Sequence, residues 1–189
     1  MEKDTLRREI KAKVAKLSGR EISKDNKAIN SHICVSRLFL EGKVIMGYLA
    51  QGKEVNIDTS LQQAINSGKI VCVPRVLEEN GQMEIVRLTA LKNLGKDRYG
   101  IRIPQAPYEV IDPSEVDLVL VPAVAYTAQG NRMGRGGGYY DRFLPRCTKA
   151  VPMGVAFESQ VVEEMPVNAH DQNIRYLVTE IGLRVCKQK

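Results

Sequence analysis

Apolar residues near the start of the chain recur at the spacing of an amphipathic helix. Leu6, Ile10 and Val14 stand four residues apart, and basic residues occupy many of the positions between them. This periodicity predicts a helix over residues 4–18, and a similar pattern predicts a second helix over residues 23–40. The sequence therefore predicts two N-terminal helices.

After residue 40 the pattern changes to short apolar runs of the kind that form buried strands. The run DLVLVPAVAY at 117–126 is apolar almost throughout, as a central parallel strand would be. Helical patterns separate several of these runs, and this alternation favours an α/β fold, a three-layer sandwich around a mostly parallel sheet. The predicted strands are 43–50, 69–76, 83–88, 117–126, 151–158 and 174–183, the later helices are 60–66 and 138–146, and residues 89–113 are expected to be irregular.

Length and composition are those of an ordinary globular protein. The chain has 189 residues, 43% hydrophobic and 26% charged, which suits a single domain over residues 1–189. The N-terminus has no apolar signal segment, and no apolar run approaches the roughly 18 residues of a membrane span. We therefore expect a cytoplasmic monomer with no membrane partner. The four cysteines form no CxxC pair, so free thiols are expected rather than a zinc site.

Positive charge is concentrated in two distant segments. The net charge is +6, residues 1–30 carry nine Lys/Arg against five Asp/Glu, and residues 130–150 carry five against one. Two such segments can converge on one polyanion. A nucleic acid is a poor candidate, because aromatic residues make up only 5% of the chain and no nucleic-acid-binding signature is present. A small phosphorylated ligand fits the charge equally well.

The second basic segment contains the unusual stretch GNRMGRGGGYYDRF, residues 130–143. Glycine loses backbone entropy on folding, so this density indicates a backbone that something must approach closely. The stretch lies between a predicted strand and a predicted helix, where free amides bind anions. Arg132 and Arg135 add guanidinium groups suited to phosphate oxygens. The stretch has no Gly-Lys-Ser/Thr of a Walker loop, and a Rossmann fingerprint would need glycine where Tyr139 stands.

The same stretch, placed after VPAVAY, resembles the signature of the 5-formyltetrahydrofolate cyclo-ligases, also called 5,10-methenyltetrahydrofolate synthetases. The resemblance covers nearly the whole chain. It includes the basic N-terminal helix, GKIVCVPRV at 68–76, AFESQVVEEMPVNAHD at 156–171, and Glu54-Val55-Asn56-Ile57 after the first strand. Two departures are Ile57, where the family has a polar residue, and Arg175, where an acidic residue is usual.

The resemblance implies an enzyme that uses ATP and Mg²⁺ to convert 5-formyltetrahydrofolate to 5,10-methenyltetrahydrofolate. ADP and phosphate would be released, and the formyl oxygen would be phosphorylated on the way. Arg135 and Tyr139 would be catalytic, and Asp141 and Asp171 would hold the metal. The residues implied to bind ATP are Lys3, Arg7, Arg132, Met133, Gly134, Arg135, Gly136, Gly137, Gly138, Tyr139 and Tyr140, and those implied to bind the folate are Leu49, Glu54, Arg135, Gly136, Gly137, Gly138 and Tyr139.

Less specific interpretations of these residues stay open. The glycines could form only a tight turn, Lys3 and Arg7 could lie on a solvated helix face, and Asp141 could only stabilise a helix N-terminus. Asp171 could simply cap a turn. For the whole protein, the alternatives are a polyanion-binding module with salt-dependent affinity and an enzyme without ATP, such as a sugar-phosphate isomerase.

Overall fold

The computed structural model describes residues 2–77, 81–97 and 99–187. In this part of the chain, five helices and thirteen strands are present. The helices are α1 Lys3–Ala15, α2 Gly19–Val35, α3 Arg37–Glu41, α4 Asp58–Asn66 and α5 Tyr139–Phe143. The strands are β1 Val44–Met46, β2 Ile70–Val76, β3 Met83–Arg87, β4 Gly95–Lys96, β5 Arg102–Ile103, β6 Val110–Ile111, β7 Leu118–Pro122, β8 Ala125–Thr127, β9 Arg132–Met133, β10 Val151–Val155, β11 Val161–Val162, β12 Tyr176–Thr179 and β13 Gly182–Val185.

Serine residues cap the N-termini of α2 and α3. The Ser18 hydroxyl accepts from the Glu21 amide at 3.2 Å, and the Glu21 carboxylate accepts from the Ser18 amide at 2.8 Å. This capping box starts α2 at Gly19, four residues before the predicted start. Ser36 then caps α3 by accepting from the Phe39 amide, so the predicted helix 23–40 is two helices.

A sheet of eight strands forms the centre of the protein, in the order β13-β12-β10-β7-β1-β2-β3-β6. The inner pairs β12-β10, β10-β7, β7-β1 and β1-β2 are parallel, and the three outer pairs are antiparallel. Along β7, Leu118 and Leu120 pack with α2 and α4, whereas Val119 and Val121 pack on the opposite face with Phe143 of α5. Because alternate side chains of a strand point to opposite faces, both faces are covered by helices. The predicted three-layer α/β fold with a mostly parallel sheet is confirmed.

Two predicted strands are wrong in their extent. The run 117–126 breaks after Pro122, and β8 leaves the main sheet to join β9 and β11 in a small second sheet. The break is stabilised by the Gln160 side-chain amide, which donates to the carbonyls of Ala123 and Val124 at 3.0 and 3.1 Å. The run 174–183 is a hairpin of β12 and β13.

One further strand is shorter than predicted, and two other regions are close to the prediction. The strand predicted at 43–50 is limited to β1, and the irregular region 89–113 contains three two-residue strands, of which β6 extends the main sheet. The helix predicted at 138–146 is α5 followed by a 3-10 turn, Leu144–Arg146, and Pro145 shortens the α-helix as expected.

Two further features are the state of the cysteines and the character of the helices. All four cysteines are free and buried, and burial raises the pKa of the Cys147 thiol to about 11. No helix among residues 2–77, 81–97 and 99–187 has the length and apolar character needed to cross a membrane.

Candidate active site

A cleft of about 830 Å³ opens at the carboxyl ends of β1 and β7, beside the N-terminal half of α1. Ligand sites of open α/β sheets lie at this edge, because the loops that follow the strands open there. The two basic segments, far apart in the sequence, therefore meet in one place. All the predicted site residues line this cleft: Lys3, Arg7, Leu49, Glu54, Arg132, Met133, Gly134, Arg135, Gly136, Gly137, Gly138, Tyr139, Tyr140, Asp141 and Asp171.

The loop 134–138, which we call the glycine loop, connects β9 to α5. Gly136 has φ +112° and Gly138 has φ +65°, conformations that side-chain-bearing residues rarely adopt. Two of its carbonyls are bound from outside: Gly134 accepts from Arg7 Nε at 3.0 Å, and Gly137 accepts from Arg142 Nη2 at 2.7 Å. Its backbone amides at 135–138 donate to no other residue that the structure describes. The loop therefore presents unpaired amide donors at the cleft.

Helix α1 brings two cations to the cleft. Lys3 and Arg7 lie four residues apart on one helix face, while Leu6 and Ile10 pack with Met133 and its neighbours in the small sheet. The side chains of Lys3 and Arg7 are only 24% and 19% exposed. These residues do not lie on a solvated helix face.

Lys3 is bound to Asp171 across the cleft. Lys3 Nζ lies 2.7 Å from Asp171 Oδ2. The same oxygen accepts a hydrogen bond from the backbone amide of Asn168, so Asp171 also caps a turn. Burial opposes the charged form of Asp171, but the hydrogen bonds from Lys3 and Asn168 and the charges of Lys3 and His170 lower the pKa of this carboxyl. Asp171 is therefore a carboxylate at neutral pH.

Asp141, in the first turn of α5, is bound to a buried arginine. Asp141 accepts hydrogen bonds from Arg132 Nη2 and, at 3.1 Å, from the backbone amide of Gln172. Because Gln172 follows Asp171 directly, this bond places Asp141 next to the segment that carries Asp171. The side chain of Arg132 is 3% exposed, and its guanidinium lies 5.9 Å from the centre of the Tyr140 ring. In the described part of the chain, Arg132 Nε and the Tyr140 hydroxyl are buried without hydrogen-bond partners. Few buried polar groups lack a partner in folded proteins, so these two atoms mark the wall beside Asp141 as unusual.

Asp141 and Asp171 fit a magnesium site that has only two protein ligands. No group of three or more His, Cys, Asp or Glu side chains suited to a metal occurs among the described residues. Mg²⁺ typically takes one or two protein carboxylates and completes its shell with phosphate oxygens and water. Asp141 and Asp171 agree with that pattern, because they lie on adjacent segments beside the glycine loop.

Arg135 connects the glycine loop to the opposite wall. Its guanidinium lies 2.5 Å from Glu54 Oε1 and donates to the side-chain oxygen Oε1 of Gln51 at 2.5 Å. The backbone amide of Gln51 donates to Glu54 Oε2 at 2.9 Å. The Arg135 side chain is 51% exposed, so its free face is open to the cleft. Glu54 and Arg135 thus form a polar group beside the largely apolar part of the cleft.

Sequence reasoning missed several residues of the cleft. Arg102 lies in the wall and forms a two-point ion pair with Asp58, at 2.7 and 2.9 Å. Arg142 belongs to the stretch GNRMGRGGGYYDRF, but its contact with the carbonyl of Gly137 in the glycine loop is visible only in the folded structure. Ile57 is fully buried in the core, which explains an apolar residue at that position. The apolar lining residues that the sequence analysis did not assign to the site include Tyr48, Val73, Pro74, Val76, Met83, Tyr99, Ile101 and Pro122.

Known proteins similar to this chain include members of one enzyme family. A sequence profile of the 5-formyltetrahydrofolate cyclo-ligase family matches residues 1–180. The probable 5-formyltetrahydrofolate cyclo-ligase of Caenorhabditis elegans is 30% identical over 190 residues, covering 94% of this chain and 92% of the relative. The 5-formyltetrahydrofolate cyclo-ligase of Mus musculus is 28% identical over 186 residues, covering 93% and 92%.

A solved structure agrees with these sequence relatives. The solution structure of the Aquifex aeolicus 5,10-methenyltetrahydrofolate synthetase superposes with a TM-score of 0.87 at 30% identity, covering 100% of this chain and 95% of that protein. The sequence profile, the sequence relatives and the solved structure all indicate the family that the glycine-rich stretch resembles. This chain belongs to the 5-formyltetrahydrofolate cyclo-ligase family, a family of enzymes.

Proposed function

We propose that this protein converts 5-formyltetrahydrofolate to 5,10-methenyltetrahydrofolate, consuming ATP in the presence of Mg²⁺ and releasing ADP and phosphate. The observation that carries the proposal is the glycine loop, whose amides at 135–138 are unpaired among the described residues. Cations surround this loop, and two carboxylates lie beside it. Such an arrangement suits a polyphosphate and its metal far better than it suits a neutral ligand.

The polar side of the cleft would hold ATP. Lys3, Arg7 and Arg132 would bind phosphate oxygens together with the loop amides, and Asp141 and Asp171 would hold Mg²⁺. When bound, Mg²⁺ would neutralise part of the phosphate charge. Lys3 and Arg132 already pair with these carboxylates, so the binding of metal and nucleotide would exchange one set of ionic partners for another.

The apolar side of the cleft would hold the folate. The whole cleft, at about 830 Å³, is in the upper part of the size range of small-molecule sites, which suits two ligands side by side. Leu49 contributes to the apolar wall, and Glu54 would accept hydrogen bonds from the ring system. Arg135, on the boundary between the two sides, would reach the group that passes from ATP to the folate.

The chemistry requires activation of a poor leaving group. The oxygen of a formyl amide does not depart readily, so the terminal phosphoryl group of ATP would first be transferred to it, with ADP as the other product. The neighbouring folate nitrogen would then attack the formyl carbon, lose its proton, and expel phosphate as the ring closes. Arg135, Tyr139 and the loop amides would position the phosphoryl group and stabilise its charge, which is the main need of phosphoryl transfer.

The test is to follow absorbance of the methenyl product after protein, 5-formyltetrahydrofolate and Mg-ATP are mixed. We expect product only when both ATP and a divalent metal are present, with one ADP formed per product. Product at the full rate in excess chelator would overturn the metal assignment. Product without ADP would exclude the ATP-dependent reaction in favour of an enzyme that does not use ATP.

The substitution of Lys3 and Arg7 by alanine together is expected to raise the KM for ATP several-fold more than the KM for the folate. Both side chains lie on the polar side of the cleft, away from its apolar wall. Steady-state kinetics with each substrate varied in turn would measure the effect. A double substitution of Arg8 and Lys13 by alanine removes equal charge from exposed positions of the same helix and should leave both constants unchanged. Equal effects of the two double substitutions would mean that only net charge matters.

A further inference from the structure

Arg142 contacts the glycine loop but has no role in the proposed reaction as described above. Its Nη2 donates to the carbonyl of Gly137 at 2.7 Å and to the carbonyl of Gly81 at 2.6 Å, and its Nε donates to Gly81 at 3.2 Å. The guanidinium also lies 5.6 Å from the centre of the Tyr139 ring. One side chain therefore joins the glycine loop, a turn next to β3 and a candidate catalytic residue.

The position of Arg142 in α5 explains how it reaches the loop. Long side chains of a helix lean towards its N-terminus, over the preceding turn. Gly138 lies in that turn, and a β-carbon at this position would be 2.7 Å from Arg142 Nη1. The absence of a side chain at Gly138 therefore leaves room for the guanidinium, in addition to permitting φ +65°.

The bond to Gly137 also determines the direction of the next amide. In a trans peptide the C=O and the N–H of the following residue point in opposite directions. Because the Gly137 carbonyl is held towards Arg142, the Gly138 amide points away from it, and that amide has no partner among the described residues. Without Arg142 this peptide plane would be free to rotate and to turn its carbonyl towards a bound anion.

Arg142 forms no ion pair with a carboxylate of residues 2–77, 81–97 or 99–187. Its recorded contacts within the described part of the chain are carbonyl oxygens and an aromatic ring, whereas Arg132 and Arg135 are both paired with acids. The guanidinium of Arg142 therefore lies directly behind the glycine loop. Lysine would not reproduce these contacts, because it lacks both the Nε donor to Gly81 and the planar group that lies against the Tyr139 ring.

We propose that Arg142 is a positioning residue, which holds the glycine loop in the conformation that accepts the phosphates of ATP. It acts through the Gly137–Gly138 peptide and need not touch the nucleotide. This inference rests on the proposed function for its ligand. It adds a residue whose effect should fall much more on nucleotide binding than on folate binding, because the amide that it orients is the one at Gly138 in the proposed phosphate site.

The test compares Arg142→Met, Arg142→Lys and the matched control Arg146→Met. Arg146 lies one turn later, donates to the Met83 carbonyl at 3.1 Å and stacks 5.4 Å from the Phe143 ring, but it does not contact the glycine loop. We expect both Arg142 substitutions to weaken Mg-ATP binding about tenfold by calorimetry and to raise the KM for ATP similarly, with the KM for the folate within twofold of wild type. Arg146→Met should lower the melting temperature about as much and leave both KM values unchanged.

Three outcomes would overturn the proposal. These are wild-type affinity for Mg-ATP in Arg142→Lys, equal increases in both KM values, or the same nucleotide defect in Arg146→Met. If Arg142→Met fails to fold, Arg142→Lys, which keeps length and charge, still decides the question. Calorimetry separates this inference from the proposed function: a wild-type protein that binds Mg-ATP but forms no methenyl product would contradict the reaction alone.

Discussion

The substitution Gly136→Ala is expected to lower turnover at least tenfold while the protein remains folded. Gly136 has φ +112° in the middle of the glycine loop, so alanine would force the backbone to change or hold it under strain of about 1–3 kcal/mol. Space is not the obstacle, because the added carbon would lie 3.9 Å from the Arg7 guanidinium, an ordinary contact. The change in the loop would displace its amides, and a displacement near 1 Å can cost about a hundredfold in rate when catalysis depends on positioning.

The control for this prediction is Gly68→Ala. Gly68 has φ +74° with open space around it and does not line the cleft, so alanine introduces similar strain elsewhere. Thermal unfolding and turnover should be measured on the same preparations of both variants. We expect comparable losses of stability but a loss of turnover in Gly136→Ala alone. Normal turnover per folded molecule in Gly136→Ala would mean that the glycines serve only the turn.

The substitution Arg135→Ala is expected to lower kcat/KM about a hundredfold, through loss of charge at the transferred phosphoryl group. Removal of one donor to a developing negative charge commonly costs a factor of about 10²–10³. Stability should hardly change, because exposed ion pairs contribute about 0–1 kcal/mol and the Arg135 side chain is half-exposed. The measurement is steady-state product formation together with a melting curve.

A matched control for Arg135→Ala is Arg37→Ala. Arg37 forms an exposed ion pair with Glu41 at 2.7 Å on α3, away from the cleft, so its loss should leave kcat/KM unchanged. Arg135→Lys adds a further comparison, since it keeps the charge but loses one of the two contacts with Gln51 and Glu54. Intermediate activity in Arg135→Lys is expected. Full activity in Arg135→Ala would remove this residue from the proposed mechanism.

Local periodicity explains which parts of the fold were predictable. The helical stripe of α1 and the apolar run of β7 follow from side-chain spacing alone, because burial of one helix face or of both strand faces imposes those patterns. The break after Pro122 did not follow, because Ala123 and Val124 are as apolar as their neighbours. That break is stabilised by Gln160, a residue far along the chain.

The hairpin of β12 and β13 is a second element that local periodicity did not predict. Ile181, at its turn, is 71% exposed, so an apolar residue occupies a position where the pattern predicts a polar one. The turn is supported by the Thr179 hydroxyl, which accepts from the Ile181 amide at 3.3 Å and donates to Glu158 at 2.7 Å. A tertiary contact with Glu158, outside this segment, thus accompanies a turn that has no strong local signal.

The sequence by itself predicted an anion-binding site and named about half of the residues that line the cleft. Glycine density and nearby arginines are chemical requirements of an anion site, and a short motif is enough to express them. Only the tertiary structure decided how these residues are paired: Lys3 with Asp171, Arg135 with Glu54, and Arg142 with the carbonyls of Gly81 and Gly137. Such pairs join segments up to 168 residues apart. Their geometry depends on how the sheet brings its loops together, and no local pattern of residues encodes that.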